Sequence, residues 1–170
     1  EELLKRGADA VFMGDFNEEG LNRESERLNT QYPGKVFPVL TDVTKLDQVQ
    51  KLISEAKGHS GHLDLLFNNA GTGLTLPTEK ITFDMWKFII DLNLMGVIHG
   101  TYTAIPIMRE QGFGHIVNTG SIAGKIPIPY QAVYAATKSA VISMTESLQY
   151  ELENDGLQFS VFCPGNVRTP

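Results

Sequence analysis

The chain has 170 residues, of which 42% are hydrophobic and 20% are charged, with a formal net charge of -6. This length and composition predict a single globular domain built on one core. The acidic balance disfavours nucleic acid and anionic membranes as partners, and apolar runs such as Ala10–Met13 are too short to cross a bilayer.

Five short apolar segments recur along the chain with helical segments between them. The predicted strands are Ala8–Phe16, Lys35–Leu40, Leu63–Phe67, His115–Thr119 and Gln158–Phe162. They are apolar nearly throughout, which is typical of parallel strands covered on both faces. Strands that alternate with helices imply right-handed crossovers. The order therefore predicts an α/β fold with a doubly wound parallel sheet, the Rossmann fold.

Helical patterns fill the intervals between these strands. The predicted helices are Glu18 to about Asn29, a segment striped by Val49, Leu52, Ile53 and Ala56, and the long segments Thr82–Gln111 and Tyr130–Asn154. Thr44 is placed to cap the striped helix, with Asp47 three residues later. Glu1–Gly7 has the pattern of a helix ending, with Gly7 as its stop.

Three polar residues near the fourth strand carry the strongest chemical signal. Ser121 follows that strand, Tyr134 comes 13 residues later, and Lys138 lies four residues after the tyrosine. Residues at i and i+4 share one helix face, and an ammonium beside a phenol stabilises the phenolate. Such a tyrosine can give or take a proton at a carbonyl or alcohol oxygen. Ser121 can hydrogen-bond to the same oxygen.

The order and spacing of these residues resemble the short-chain dehydrogenase/reductase family. Tyr134–Lys138 matches the YxxxK motif of that family, and Asn68–Gly71 matches its NNAG motif directly after a strand. The resemblance implies that Tyr134 is the acid or base, Ser121 anchors the substrate oxygen, and Lys138 tunes the tyrosine and binds the cofactor ribose. It also assigns Asn93 as the holder of a water that relays protons to the lysine. Taken without the family, Asn93 would be a buried polar residue at a helix kink.

The same resemblance implies a nicotinamide cofactor and hydride transfer to or from a small carbonyl or secondary alcohol substrate. Asp42 and Val43 end the second strand, where the family contacts the adenine. Pro164 and the residues after it resemble the loop that closes on the nicotinamide carboxamide. The cofactor residues predicted in this way are Asp15, Asp42, Val43, Asn69, Ala70, Gly71, Tyr134, Lys138, Pro164, Gly165, Val167 and Thr169.

Asp15 bears on the choice between NAD and NADP. It ends the first strand, where an acid in dinucleotide-binding folds accepts hydrogen bonds from the adenosine ribose hydroxyls. Its charge would repel the additional phosphate of NADP, and the nearest cation after it in the sequence is Arg23. The sequence therefore favours NAD over NADP. The alternative is that Asp15 only caps the next helix.

Two parts of the family pattern are missing from the chain. The glycine-rich turn that cradles the pyrophosphate is absent, and so is the substrate-covering segment after Thr169. We therefore expect a single, incomplete Rossmann domain over residues 1–170, cut at both ends and lacking the first strand, which belongs in the middle of the sheet. The strands beginning near Ala8 and Leu63 should then flank a slot, unless they pair directly. We expect such a chain alone to bind NAD poorly.

Two other functions fit part of the pattern. An extended-type family member, such as a sugar-nucleotide epimerase or dehydratase, shares the serine, tyrosine and lysine, but the NNAG run argues against it. A cofactor-binding scaffold without turnover is the second alternative. The intact catalytic set argues against a scaffold for the full-length parent protein.

The long helical segments carry more apolar residues than one narrow stripe uses. A surplus apolar face is what an interface between subunits requires, and family members commonly pair these two helices across a two-fold axis. We therefore expect a homodimer or homotetramer in the full-length parent. The apolar residues that together exceed one narrow stripe are Ile89, Leu92, Met95, Val97, Ile98, Ile105 and Met108.

The histidines and the cysteine suggest no further chemistry. The four histidines lack the spacing of metal ligands, so no metal site is predicted. Cys163 is the only cysteine, which rules out an internal disulfide and fits a cytoplasmic location.

Overall fold

The computed structural model describes residues 1–165, and all five predicted strands are present in it. They form two parallel sheets, one of order β1-β2 and one of order β3-β4-β5. Every pairing is parallel, as the uniformly apolar strands predict. The strands are β1 (Val11–Asp15), β2 (Val36–Leu40), β3 (Leu65–Asn68), β4 (Gly114–Thr119) and β5 (Leu157–Phe162).

Six α-helices lie between and around these strands in the described part of the chain. They are α1 (Glu2–Lys5), α2 (Glu18–Gln31), α3 (Leu46–Ser60), α4 (Phe83–Ile90), α5 (Gly96–Gln111) and α6 (Ala132–Leu152), with 3-10 turns at Thr78–Lys80, Ile122–Gly124 and Glu153–Asp155. Gly7 follows α1 with φ of 92°. Glycine adopts this left-handed conformation at little steric cost, so Gly7 ends the helix as predicted.

The predicted helix Thr82–Gln111 is a continuous helical run with a π-helical turn inside it. Helix α4 begins after Thr82, whose hydroxyl oxygen accepts a hydrogen bond from the Met85 amide at 3.2 Å. The π turn covers Asp91–Met95 and leads directly into α5. A π turn inserts one residue into the helical repeat and is frequent at functional sites. Here it contains Asn93, which is completely buried.

This helical run is long and apolar enough to span a bilayer. Phe83–Gln111 has 29 residues and a mean hydropathy of 1.3 in its most apolar window, so the sequence argument from short apolar runs does not hold for it. Its buried side chains nevertheless include the polar Asn93 and pack inside the protein, with Ala104 and Met108 in the main hydrophobic cluster. In the most apolar window of the run, 39% of the residues are buried inside the protein.

Two separate hydrophobic clusters stabilise the fold. The larger lies where α3 and α5 pack on the three-stranded sheet and contains Ile53, Met108 and Ile116. The smaller joins α1 and α2 to β2 through Leu4, Leu28 and Val36. Each cluster therefore belongs to one of the two sheets.

A slot separates the two sheets, as the sequence predicts. In the described residues β1 pairs with β2 alone, and β3 pairs with β4 alone. A cavity of about 770 Å³ lies between β1 and β3, lined by residues of both strands, from Val11 to Asp15 and from Leu65 to Asn68. Helix α3 bridges the slot, since it packs against both β1 and α5.

One sequence prediction about the helices is wrong. Thr44 does not cap α3, because that helix begins at Leu46 with Lys45 in the capping position. Of the apolar residues that exceed one stripe on the long helices, Ile89, Val97 and Met108 are buried in the core.

Candidate active site

The predicted site residues gather at one edge of the sheets, at the carboxyl ends of the strands. Ligands of open α/β sheets bind at this edge. Asp15 ends β1, Asp42 follows β2, Asn69 follows β3, Ser121 follows β4 and Pro164 follows β5.

Helix α6 brings Tyr134 and Lys138 together as the i, i+4 spacing predicts. The Lys138 Nζ lies 5.8 Å from the centre of the Tyr134 ring and donates a hydrogen bond to the backbone carbonyl of Thr119 at 2.7 Å. Lys138 is only 3% exposed. Burial lowers the pKa of its ammonium from the ordinary value of 10.5, while the nearby Cys163 acts weakly in the opposite direction. A charge beside the phenol is therefore held at the end of β4.

Ser121 begins the 3-10 turn that follows β4. Its Oγ accepts a hydrogen bond from the Ala123 amide at 3.1 Å, which leaves the hydroxyl proton available to a substrate oxygen. The turn packs closely on α6: a Cβ at Gly124 would lie 2.7 Å from the carbonyl carbon of Lys138. The Ser139 hydroxyl also donates to the Gly124 carbonyl at 2.8 Å. Only glycine allows this approach of the serine turn to the helix that carries Tyr134 and Lys138.

Asn93 holds the chain that follows the NNAG motif. Its Nδ2 donates to the Thr72 carbonyl at 2.8 Å, and its Oδ1 accepts from the Thr72 amide at 2.9 Å. Gly71 lies between Asn93 and Lys138, because a Cβ on it would be 2.9 Å from Asn93 Oδ1 and 3.6 Å from Lys138 Nζ. The π turn thus places Asn93 next to the lysine, with only a glycine between them.

Asn69 is linked to the same lysine through Thr119. The Thr119 hydroxyl donates to Asn69 Oδ1 at 3.0 Å, and the Thr119 carbonyl accepts from Lys138. Asn69 and Ala70 are exposed and line the slot, together with Asp15 and Val43. The slot therefore continues into the cleft in which four of the predicted cofactor residues meet.

The two acidic residues at the other end of this cleft are held by neighbours in sequence. Asp15 Oδ1 accepts from the Asn17 amide at 2.8 Å, and Asn17 itself caps α2. Asp42 Oδ1 accepts from the Thr44 amide at 2.9 Å and from its hydroxyl at 2.8 Å. The bonds from Thr44 keep the pKa of Asp42 below its ordinary value.

The loop after β5 meets the serine turn. The carbonyl of Pro164 accepts a hydrogen bond from the Ile122 amide at 3.0 Å, and Gly165 is exposed. Val167 and Thr169, the other residues predicted for this loop, lie outside the described residues.

Two loops beside Tyr134 are connected to each other. The Leu76 amide donates to the Tyr130 carbonyl at 3.0 Å, and Gln131 Nε2 donates to Thr75 Oγ1 at 3.0 Å. Tyr130 has φ of 67°, which is rare for a residue with a side chain. Its exposed ring lies at the entrance to α6, four residues before Tyr134.

Comparison with known proteins agrees with this arrangement. The chain matches the short chain dehydrogenase family model over residues 1–170. It belongs to the short-chain dehydrogenase family. An uncharacterized oxidoreductase of Staphylococcus epidermidis is 35% identical to this short-chain dehydrogenase over 170 residues, which are 100% of the chain and 72% of the relative. The extended-type alternative is not favoured by these matches.

Two solved structures illustrate the similarity of fold. A short chain dehydrogenase/reductase from Burkholderia phymatum in complex with NAD has a TM-score of 0.90 and 36% identity, covering 96% of this chain and 60% of its own. A gluconate 5-dehydrogenase from Burkholderia cenocepacia in complex with NADP and tartrate has a TM-score of 0.86 and 29% identity, covering 94% and 62%. This short-chain dehydrogenase thus spans less than two thirds of either structure.

The sequence did not predict the residues that hydrogen-bond to the predicted site side chains and hold them in place. Thr119 supplies a carbonyl to Lys138 and a hydroxyl to Asn69, and Thr72 supplies both backbone groups to Asn93. Backbone groups are the same in every residue, so sequence carries no signal for three of these contacts. The hydroxyl of Thr119, two residues before Ser121 at the end of a strand, is the one contact that a sequence could indicate.

The hydrogen-bonding groups of the cleft fit a nicotinamide dinucleotide. Carboxylates at Asp15 and Asp42 can accept from ribose and adenine donors, and the buried ammonium of Lys138 can donate to ribose hydroxyls. Gly165 leaves room for close approach, since a Cβ there meets nothing within 4 Å.

Proposed function

We propose that the full-length protein containing this chain is an oxidoreductase that transfers a hydride between a nicotinamide cofactor and a small carbonyl or secondary alcohol substrate. The observation that carries the proposal is the phenol of Tyr134 beside the buried ammonium of Lys138, with Ser121 brought against the same helix by Gly124. The cofactor, when bound, supplies or accepts the hydride.

The side chains of this site handle the proton and hold the substrate oxygen. Tyr134 gives its phenolic proton to the carbonyl oxygen during reduction and takes it back from the alcohol during oxidation. Ser121 donates its hydroxyl hydrogen bond to that oxygen. Lys138 stabilises the phenolate that remains on Tyr134, and its distance to the ring is fixed by its bond to Thr119.

Asn93 belongs to the route by which the proton on Tyr134 is replaced. Its nearness to Lys138 across Gly71 supports a relay through a water between the π turn and the lysine ammonium. Its two bonds to Thr72 support a second role, which is to hold the segment after Asn69 and Ala70 in place.

NAD is the cofactor that we favour over NADP, although relatives bind either one. Asp15 is exposed at the end of β1 with its carboxylate turned to the Asn17 amide, and a carboxylate there repels a ribose phosphate. The rest of the cofactor would contact Asp42, Val43, Asn69, Ala70 and Gly71. Its nicotinamide end would be covered by Pro164, Gly165, Val167 and Thr169.

The full-length protein is a homodimer or homotetramer in this proposal, and it acts in the cytoplasm. Large apolar side chains on α4 and α5 stay exposed although other apolar residues of these helices are buried in the core. Phe83 is 81% exposed, and Phe88 and Tyr102 lie more than half exposed nearby in the chain. Exposed apolar residues at this density are typical of subunit interfaces. Light scattering of the full-length protein that gave the mass of a monomer would contradict the assembly.

The test of the reaction is turnover by the full-length protein on a panel of ketones and secondary alcohols, followed by NADH absorbance. Tyr134→Phe removes the transferable proton and little volume, so we expect kcat to fall about 10²–10⁴-fold. Tyr150→Phe, an exposed tyrosine at the far end of the same helix, is the matched control. Near-normal turnover by Tyr134→Phe would exclude the mechanism, and NADH binding without turnover on any substrate would favour the scaffold alternative.

A further inference from the structure

The loop between β2 and α3 carries Asp42 and Val43, the residues that the proposed function places at the adenine. Local contacts fix the beginning of this loop. Asp42 accepts two hydrogen bonds from Thr44, and the Asp42 amide donates to Gln48 Oε1 at 2.7 Å. These contacts orient Asp42, but they leave the position of Val43 to be set from elsewhere.

Helix α5 holds Val43 from outside the loop. Nδ1 of His99 lies 2.9 Å from the Val43 carbonyl oxygen, although the two residues are 56 positions apart. A carbonyl oxygen only accepts, so the hydrogen bond requires a proton on Nδ1. Gly96, one turn earlier on the same face of α5, lies under the Val43 side chain: a Cβ there would be 2.8 Å from Val43 Cγ2. The helix therefore holds Val43 at two points.

We propose that His99 is a positioning residue for the adenine end of the cofactor site, acting through the Val43 backbone. The proposal rests on the proposed function for the identity of the ligand. The bond from His99 fixes the peptide plane between Val43 and Thr44. It thereby fixes the position of Val43 in the wall of the cleft, which Asn69 and Ala70 also line. A supporting contact of this kind sets how precisely a binding group is presented.

Because His99 acts at the opposite end of the cofactor from Tyr134, its loss should affect cofactor binding and leave the proton transfer intact. The experiment uses the full-length protein and the variants His99→Leu, which has no donor, and His99→Asn, whose amide can replace the Nδ1 donor. Thr103→Val is the matched control, because the Thr103 hydroxyl donates to the His99 carbonyl at 2.7 Å on the same helix without contacting Val43.

We expect His99→Leu to raise the KM for NADH about fivefold, which corresponds to one net hydrogen bond of about 1 kcal/mol, with kcat unchanged. His99→Asn should restore most of the loss, and Thr103→Val should bind NADH normally. The analogue of NADH with hypoxanthine in place of adenine presents a different hydrogen-bonding edge to the loop. The effect of His99→Leu on the KM for this analogue should therefore be less than about twofold.

Three results would overturn the proposal. Wild-type KM for NADH in His99→Leu would show that the contact does not position the loop. Equal weakening of NADH and of the hypoxanthine analogue, together with a lower kcat, would show that His99 supports the fold in general. If the wild-type protein binds neither NADH nor NADPH, the proposed function itself fails, and the role of His99 fails with it.

A second variant keeps the test decisive if His99→Leu does not fold. Gly96→Ala adds a methyl group that presses on the Val43 side chain from the same helix. It should raise the KM for NADH and leave kcat unchanged. An unchanged KM in Gly96→Ala would contradict the positioning of Val43 by α5.

Discussion

The polar side chains at the two ends of the cleft are held in different ways. At the catalytic end, Lys138 and Asn93 bond to the backbone of residues 19 and 21 positions away. At the adenine end, Asp15 and Asp42 bond to residues only two positions away. Bonds across the fold fix the distance between groups that exchange a proton. Bonds to a sequence neighbour fix only the orientation of a side chain, which suffices for a residue that selects between two cofactors.

This difference predicts which substitutions change turnover and stability and which change cofactor preference. Changes of Lys138 or Asn93 should alter turnover and stability together, because each of these side chains also holds a backbone segment from another part of the chain. Changes at the adenine end should alter cofactor preference with little effect on stability. His99 makes a side-chain contact across the fold at the adenine end, where it bonds to the backbone of Val43 and to neither carboxylate.

Lys138→Met should have the largest effect of the variants that sharpen this comparison. Loss of the ammonium beside Tyr134 should lower kcat about 10²-fold or more. The variant also removes a buried charge, so stability should depend on pH differently from the wild type. Lys51→Met, which removes an exposed lysine on α3, is the control and should have normal turnover.

The sign of the pH effect follows from the lowered pKa of Lys138 in the folded protein. Between that lowered pKa and the ordinary value of 10.5, the unfolded chain binds the proton and the folded chain does not. The stability of the wild type relative to Lys138→Met should therefore rise with pH across this interval and level off above it. Urea unfolding at several pH values measures the difference, and a difference independent of pH would contradict burial of the charge.

Asn93→Leu should have the next largest effect. The substitution conserves volume in a fully buried position and removes two hydrogen bonds to Thr72, so it should cost about 1–3 kcal/mol of stability. Asn93→Asp keeps the acceptor for the Thr72 amide but places a carboxylate against the Thr72 carbonyl. A role in positioning the NNAG segment predicts that kcat falls in both variants.

Denaturant unfolding and steady-state kinetics on the full-length protein would separate the two effects of Asn93→Leu. Asn22→Leu, on the exposed face of α2, is the matched control. Loss of stability with wild-type kcat would show that Asn93 is only a core residue at the helix kink.

The strands and the proximity of Tyr134 to Lys138 could be predicted from sequence because both leave local patterns. Uniformly apolar runs mark parallel strands, and all five were found with their ends shifted by a few residues. Tyr134 and Lys138 are one helical turn apart, so their proximity follows from spacing alone. The slot between β1 and β3 also followed from the strand order of a doubly wound sheet, which places a further strand between them.

The prediction that failed depended on which neighbour a residue meets in the fold. Thr44 was assigned as a cap, but its hydroxyl donates to Asp42 and the helix begins later. The apolar surplus of the long helical run was visible in the sequence, but which of its side chains the core takes was not. Ile89, Val97 and Met108 are buried because the run packs against several elements.

Asp15→Asn should have the smallest effect on turnover and the clearest effect on cofactor choice. The carboxamide oxygen can still accept from the Asn17 amide, so the start of α2 should be preserved and stability should not change. The negative charge is lost, and with it the repulsion of a ribose phosphate. We expect the ratio of affinities for NADPH and NADH to rise about tenfold, or about 1.4 kcal/mol.

Fluorescence titration of the full-length protein with both reduced cofactors measures this ratio. Asp84→Asn, an exposed acid in the first turn of α4, removes the same charge away from the cleft and should leave the ratio unchanged. If Asp15→Asn lowers stability and leaves the ratio as it was, Asp15 serves only the backbone turn before α2. A wild-type protein that already prefers NADPH would remove the assignment of NAD. A tenfold shift without loss of stability would show that a carboxylate held by a sequence neighbour selects the cofactor independently of the fold.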